Sequence, residues 1–195
     1  VAIAGPDGYI YDPDGAVTDE KINYLLEMRA SGRDKVQDYA DKFGCEFHAG
    51  EKPWGLGADK VDIMMPCATQ NDVNMDSAKK IAASGIKYYI EVANMPTTND
   101  ALEFLKEQKH MVIAPSKAVN ACGVAVSALE MAQNAERLYW TAEEVDAKMH
   151  QIMANIYHSS VAAAERYGLG YDLVAGANIV GFQRVADAMM AQGIF

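Results

Sequence analysis

Three segments of this sequence repeat one pattern, and that pattern limits the folds open to it. Each has a short apolar run, then a proline-bearing polar loop, then a helix-forming stretch. Residues 61–65 (VDIMM) stop at Pro66, residues 87–92 (KYYIEV) lead into Ala93-Asn94-Met95-Pro96-Thr97-Thr98, and residues 111–114 (MVIA) stop at Pro115. Proline cannot donate to a sheet ladder, so it ends such a run. Strands alternating with helices through short loops indicate an α/β fold with a parallel sheet. In an open parallel sheet, ligands bind outside the carboxyl ends of the strands. All three loops carry amides or hydroxyls there, which predicts a cleft along one sheet edge. The same residue types also make turns and cap helices, and for any single loop both readings stand.

The helix after the third loop supports the cleft. Asn120, Val124 and Ser127 fall at i, i+4 and i+7 and so share one face. That face carries an amide, a small apolar group and a hydroxyl, where a packed face would carry Leu, Ile and Met. Helices are expected near residues 76–84, 99–108 and 121–140. Strands are expected near 1–4, 61–65, 88–92 and 111–114, all parallel, with helices on both faces.

Elsewhere the local signals are plain. Residues 1–4 (VAIA) read as a buried strand running into the turn Gly5-Pro6-Asp7-Gly8. Tyr9-Ile10-Tyr11 alternates toward a second turn, Asp12-Pro13-Asp14-Gly15. Thr18 or Asp19 can cap a helix over 20–30 whose apolar period runs through Ile22, Leu25, Leu26 and Arg29. Asp34 is placed to cap a helix over 35–43 ended by Gly44. A short strand is expected over 45–48, and a loop over 51–60. Thr141-Ala142-Glu143-Glu144 resembles a capping box opening a long helix with Val145, Met149, Ile152 and Ile156 inward. Gly168-Leu169-Gly170 interrupts it, and a last helix over 173–192 stops at Gly193. Small residues over 176–181 would let that helix pack closely.

Composition removes several function classes. The net charge of −10 argues against nucleic acid or an anionic membrane surface as a partner. No apolar run approaches the length that spans a bilayer, and no leader peptide is visible. Cys45, Cys67 and Cys122 are far apart and lack zinc-ligand spacing, which fits a reducing, cytoplasmic setting. Cys122 reads either as a small buried thiol or as a reactive one at a helix start. His48, His110, His150 and His158 are scattered, so no metal site is expected. There is no nucleophile elbow, no P-loop and no Gly-x-Gly-x-x-Gly, and no complete catalytic constellation. Asp7, after the opening strand, reads either as a turn former beside Gly8 or as the acid that accepts from a ribose 2′-hydroxyl at the end of a dinucleotide fold's second strand.

The segments GPDGYIYDPDG, EKPW, PCATQN, ANMPTT, PSKAVNACGV, LEMAQNAERL, WTAEEVD and GANIVGFQRVADAMMAQG resemble the cofactor domain of the hexameric bacterial glutamate dehydrogenases over essentially the whole chain. The resemblance implies a Rossmann-like domain over 1–140, lacking its first strand and glycine-rich loop, and a helical segment over 141–195 that returns to a substrate domain. It implies NAD as cofactor, with NADP possible, and L-glutamate and 2-oxoglutarate as substrate and product in a homohexamer. Pro6 and Asp7 match the adenosine end of the cofactor site. Ala68, Thr69 and Gln70 match the stretch beside its ribose and phosphates. Asn94 matches an amide near the nicotinamide ribose, and Asn120 the amide that reads the carboxamide. Val124 and Ser127 match the glutamate pocket, with the hydroxyl on a substrate carboxylate. The family's catalytic lysine and aspartate have no counterpart here, Lys117 lies outside the lysine motif, and Cys122 stands where the family has glycine. Two other readings are a leucine or phenylalanine dehydrogenase, and a non-catalytic α/β module that binds or oligomerises.

Overall fold

The computed structural model describes residues 1–193. They divide into two compact units, one of residues 1–62 and 79–85, the other of 63–78 and the chain from 86 onward.

The first unit contains a three-stranded antiparallel sheet, β1 (Ala2–Gly5), β2 (Gly8–Tyr11) and β3 (Glu46–Ala49), in that order. This corrects the expectation that the opening strand joins the parallel sheet. Gly5 pairs with Gly8, so only Pro6 and Asp7 connect the two strands. A two-residue connection can join antiparallel strands only. Gly8 is at φ 148°, and a Cβ there would lie 2.2 Å from the carbonyl oxygen of His48, so β3 can approach only because the residue is glycine.

Helices α1 (Asp19–Ala30) and α2 (Gln37–Phe43) pack on one face of this sheet. Ile10, Met28, Val36, Tyr39 and Ala40 form the core there, with Ile3, Tyr24, Leu25, Phe43 and Phe47 against it. The inward face of α1 is therefore Tyr24, Leu25 and Met28. Ile22 and Leu26, expected inward, are exposed, because the core claims the stripe that meets Tyr39 and Phe43. Thr18 caps α1 by accepting from the Lys21 amide, as its sequence position suggests. Asp34 does not cap α2. Asp7 does, through hydrogen bonds from the Val36 and Gln37 amides, both 3.0 Å.

Asp12 ties the unit together. Its buried carboxylate accepts from Lys21 Nζ at 2.7 Å and from the Tyr39 hydroxyl at 2.8 Å. Burial pushes this carboxyl up, but the hydrogen bonds from Lys21 and Tyr39 and the Lys21 charge outweigh it and hold the group below its ordinary value.

The second unit contains the parallel sheet β4 (Ile63–Met64), β5 (Tyr88–Ile90) and β6 (Val112–Ala114). The register aligns Met64, Tyr89 and Ile113 across it. These three are buried, and the Tyr89 hydroxyl meets Thr97 Oγ1 at 2.7 Å just before α4 (Asn99–Lys106). Ala114 faces the other way and shares a small cavity with Ile156, Tyr157 and Leu173. Helices thus cover both faces. The strands are shorter than the apolar runs suggest, and the loops beyond the first two pair with each other. Asn71 N donates to Met95 O at 3.0 Å, and Val73 bridges Thr97 in parallel.

Helix α3 (Met75–Ser84) is shared between the units. After β6 come a four-residue helix α5 (Ser116–Val119), α6 (Ala121–Glu136), α7 (Ala142–Arg166) and α8 (Leu173–Gln192). The capping box at Thr141 forms as its sequence suggests: Glu144 N donates to the Thr141 hydroxyl and Thr141 N to the Glu144 carboxylate. A Cβ on Gly176 would lie 2.0 Å from the Ser160 carbonyl oxygen, so α7 and α8 touch backbone to backbone there. Among the described residues, no helix is long and apolar enough to cross a membrane.

Candidate functional site

The carboxyl ends of the parallel strands open onto a cavity of about 770 Å³, within the range of small-molecule sites. All three sequence-predicted loops reach it. Ala68 and Gln70 come from the loop after β4, Asn94 from the loop after β5, and Asn120 and Val124 from α5 and α6 after β6. The loops meet because parallel pairing sets all three carboxyl ends on one edge, and the crossed backbone bonds at Asn71 and Val73 hold the first two together.

One amide ties two of the cavity's polar side chains together. Asn120 Nδ2 donates to the Val92 carbonyl at 3.2 Å and to Asn94 Oδ1 at 2.7 Å. That uses both of its N–H donors and orients both side chains. The Asn120 carbonyl is left as an acceptor and the Asn94 amide as a donor. An acceptor beside a donor is the complement of a primary carboxamide.

The remaining predicted residues lie as follows. Thr69 sits in the loop between Ala68 and Gln70 and is exposed. Val124 is 75% exposed on α6, and Ser127 is one turn further along the same face. The Ser127 hydroxyl donates to the Gly123 carbonyl at 3.2 Å, a bond within its own helix that an incoming acceptor would replace. Pro6 and Asp7 belong to the first unit, where Asp7 caps α2. Cys122 is half-buried at the start of α6.

Sequence reasoning missed three things at this edge. Helix α5 stands where a polar loop was expected. Lys117, on α5, lines the cavity and is hydrogen-bonded to Asn178 of α8. Its signal was the one lysine or arginine between Lys109 and Arg137. Glu91 is buried at 3% exposure at the end of β5. A carboxylate inside the run KYYIEV was the signal for it. Cys67, though exposed, also lines the cavity; partial desolvation at its wall pushes the thiol up, away from the reactive thiolate. Met95, in the loop after β5, has φ 46°, a conformation that costs a non-glycine residue about 1–2 kcal/mol.

The family model for Glutamate/Leucine/Phenylalanine/Valine dehydrogenase matches residues 1–193. The NAD-specific glutamate dehydrogenase of Clostridium symbiosum is 73% identical over the whole chain, and the chain spans 42% of that relative. The NADP-specific glutamate dehydrogenase of Escherichia coli is 48% identical, again with 42% of its length spanned. A solved glutamate dehydrogenase structure superposes with a TM-score of 0.94 at 73% identity, over all of this chain and 42% of that one.

Proposed function

The chain belongs to the glutamate/leucine/phenylalanine/valine dehydrogenase family, and on that premise we propose that it forms most of the cofactor domain, over 1–140, of an enzyme that oxidatively deaminates L-glutamate to 2-oxoglutarate and ammonia. The observation that carries this reading is the Asn94–Asn120 pair at the carboxyl edge of the sheet. Its acceptor and donor suit the carboxamide of a nicotinamide dinucleotide, and the cavity beside it has room for the ring. The residues present therefore fit that cofactor. Asn120 and Asn94 would orient the nicotinamide end, Ala68, Thr69 and Gln70 would flank its ribose and phosphates, and Pro6 and Asp7 would meet the adenosine. When bound, the nicotinamide accepts the hydride removed from the amino acid. These residues hold and orient, and none is assigned a proton transfer.

NAD is favoured over NADP. Asp7 has no Arg or Lys before Lys21 to meet a 2′-phosphate, and a carboxylate repels one. Ser127, with Val124, suits a substrate side chain ending in a carboxylate, since an apolar one would leave the hydroxyl without an external partner. The helices over 141–195 return to a substrate domain in this reading, and the assembly is a homohexamer.

The test uses the whole protein that carries this chain. Ser127→Ala should lower kcat/KM for glutamate by about 1–3 kcal/mol in transition-state terms, the loss of a hydrogen bond to a charged group. Activity on norvaline should fall much less. Equal losses on both substrates would show that Ser127 is structural and that the pocket is misassigned.

A further inference from the structure

Glu91 is a buried carboxylate to which the proposed reaction gives no part. It follows directly on β5, its backbone amide still bonded to Ala114 O at 3.0 Å. Its Oε2 accepts from the Ser116 amide at 3.2 Å. Ser116 opens α5, and the residue before it, Pro115, has no side chain that can cap. The first amides of a helix lack partners inside it, so Glu91 supplies from another strand what the local sequence lacks.

The other end of α5 is held by the same short segment. Asn120 closes α5, and its Nδ2 is bonded to Val92 O and Asn94 Oδ1. Residues 91–94 therefore grip both ends of a four-residue helix. A helix that short has no stability of its own. Yet it carries Lys117 and ends at Asn120, and both line the cavity.

We propose that Glu91 is a positioning residue for the cofactor cleft: by holding the Ser116 amide it sets α5, and through α5 it aims the Asn120 amide at the nicotinamide end of the site. The proposal rests on the cofactor reading above. It also explains the residue type. A buried carboxylate is costly to keep, but it is a stronger acceptor than a neutral group and favours a helix N-terminus.

The whole protein tests this with two ligands and one structural readout. NADH reaches the nicotinamide end, whereas ADP-ribose carries everything but that ring. Glu91→Ala should weaken NADH about tenfold and leave ADP-ribose within about twofold, the loss expected from one misaimed charged-network hydrogen bond. Amide exchange over residues 118–120 should quicken while that of β5 and β6 stays unchanged. Glu91→Gln, which retains an acceptor, should restore most of the NADH affinity. Equal weakening of both ligands, unchanged exchange in α5, or faster exchange without loss of NADH affinity each overturns the proposal. Where Glu91→Ala does not fold, Glu91→Asp replaces it, since a carboxylate one methylene short should show the same selective loss. If the unaltered protein binds neither NADH nor ADP-ribose, the cofactor reading falls, and exchange alone then decides whether Glu91 holds α5.

Discussion

Asp7 and Asp12 are five positions apart at the two ends of β2; Asp7 holds the start of α2, and Asp12 joins α1 to α2 through Lys21 and Tyr39. Asp7 receives the Val36 and Gln37 amides at the start of α2, so removing it strips a cap. Asp7→Ala should cost about 1 kcal/mol in urea unfolding, whatever its role toward a cofactor. Asp7→Asn helps to separate the two roles, because its one amide oxygen keeps one of the two capping bonds while the charge is gone. If the charge sets cofactor choice, Asp7→Asn narrows the gap between NAD and NADP in kcat/KM as far as Asp7→Ala does, with a smaller stability loss; an unchanged ratio would leave Asp7 as a cap alone. Asp12 is a deeper dependence. Its folded pKa is lowered, so its contribution is complete above the unfolded carboxyl value and is lost as pH falls through the folded one. Urea midpoints should hold from pH 7 to about 5 and fall below about pH 4, with part of that fall absent in Asp12→Asn. Asp12→Ala, which leaves Lys21 and Tyr39 without their shared partner, should cost about 3–5 kcal/mol.

Among the elements, the contact between α7 and α8 depends on a missing side chain. Gly176 sits against the Ser160 carbonyl, and Ser160 is itself buried with its hydroxyl turned back to Ile156 O at 2.8 Å. Gly176→Ala should force the helices apart and cost about 1–3 kcal/mol. Gly181, one and a half turns further along α8, has nothing within 4 Å of a Cβ. Gly181→Ala should therefore gain about 0.5–1 kcal/mol from helix propensity. Thermal melts of the two variants should move in opposite directions, and a loss in both would mean that the close crossing is not what limits Gly176. The short helices α2 and α5 share a second dependence. Neither has a capping side chain at its own N-terminus, and each takes a carboxylate from a turn or strand end at least 25 residues earlier.

At the scale of the whole molecule, the 195 residues contain no Gly-x-Gly-x-x-Gly, the turn on which a dinucleotide pyrophosphate rests in this kind of fold. The polypeptide expressed by itself should show no glutamate turnover and only weak affinity for NAD. Calorimetric titration checks this, and micromolar binding would mean that the grip on the cofactor lies elsewhere in the chain. What the sequence determined by itself was whatever depends on neighbours along the chain. The parallel units after residue 61, the capping box at Thr141, the close-packing stretch from Gly176 and the shared face of Asn120, Val124 and Ser127 all rest on periodicity, caps and turns that span a few residues. The family segments added the roles proposed for the site residues. Tertiary structure alone decided which strand pairs with which. The turn Gly5-Pro6-Asp7-Gly8 was visible, but its consequence, an antiparallel sheet apart from the parallel one, required β3 to arrive beside Gly8. It also decided which carboxylates cap which helices, since Asp34 was the local candidate for α2 and Asp7 took the place. Glu91 became meaningful only once β5 and α5 lay side by side. Hydrogen bonds across such separations leave no period in the sequence, because their partners are chosen by the packed fold and not by spacing along the chain.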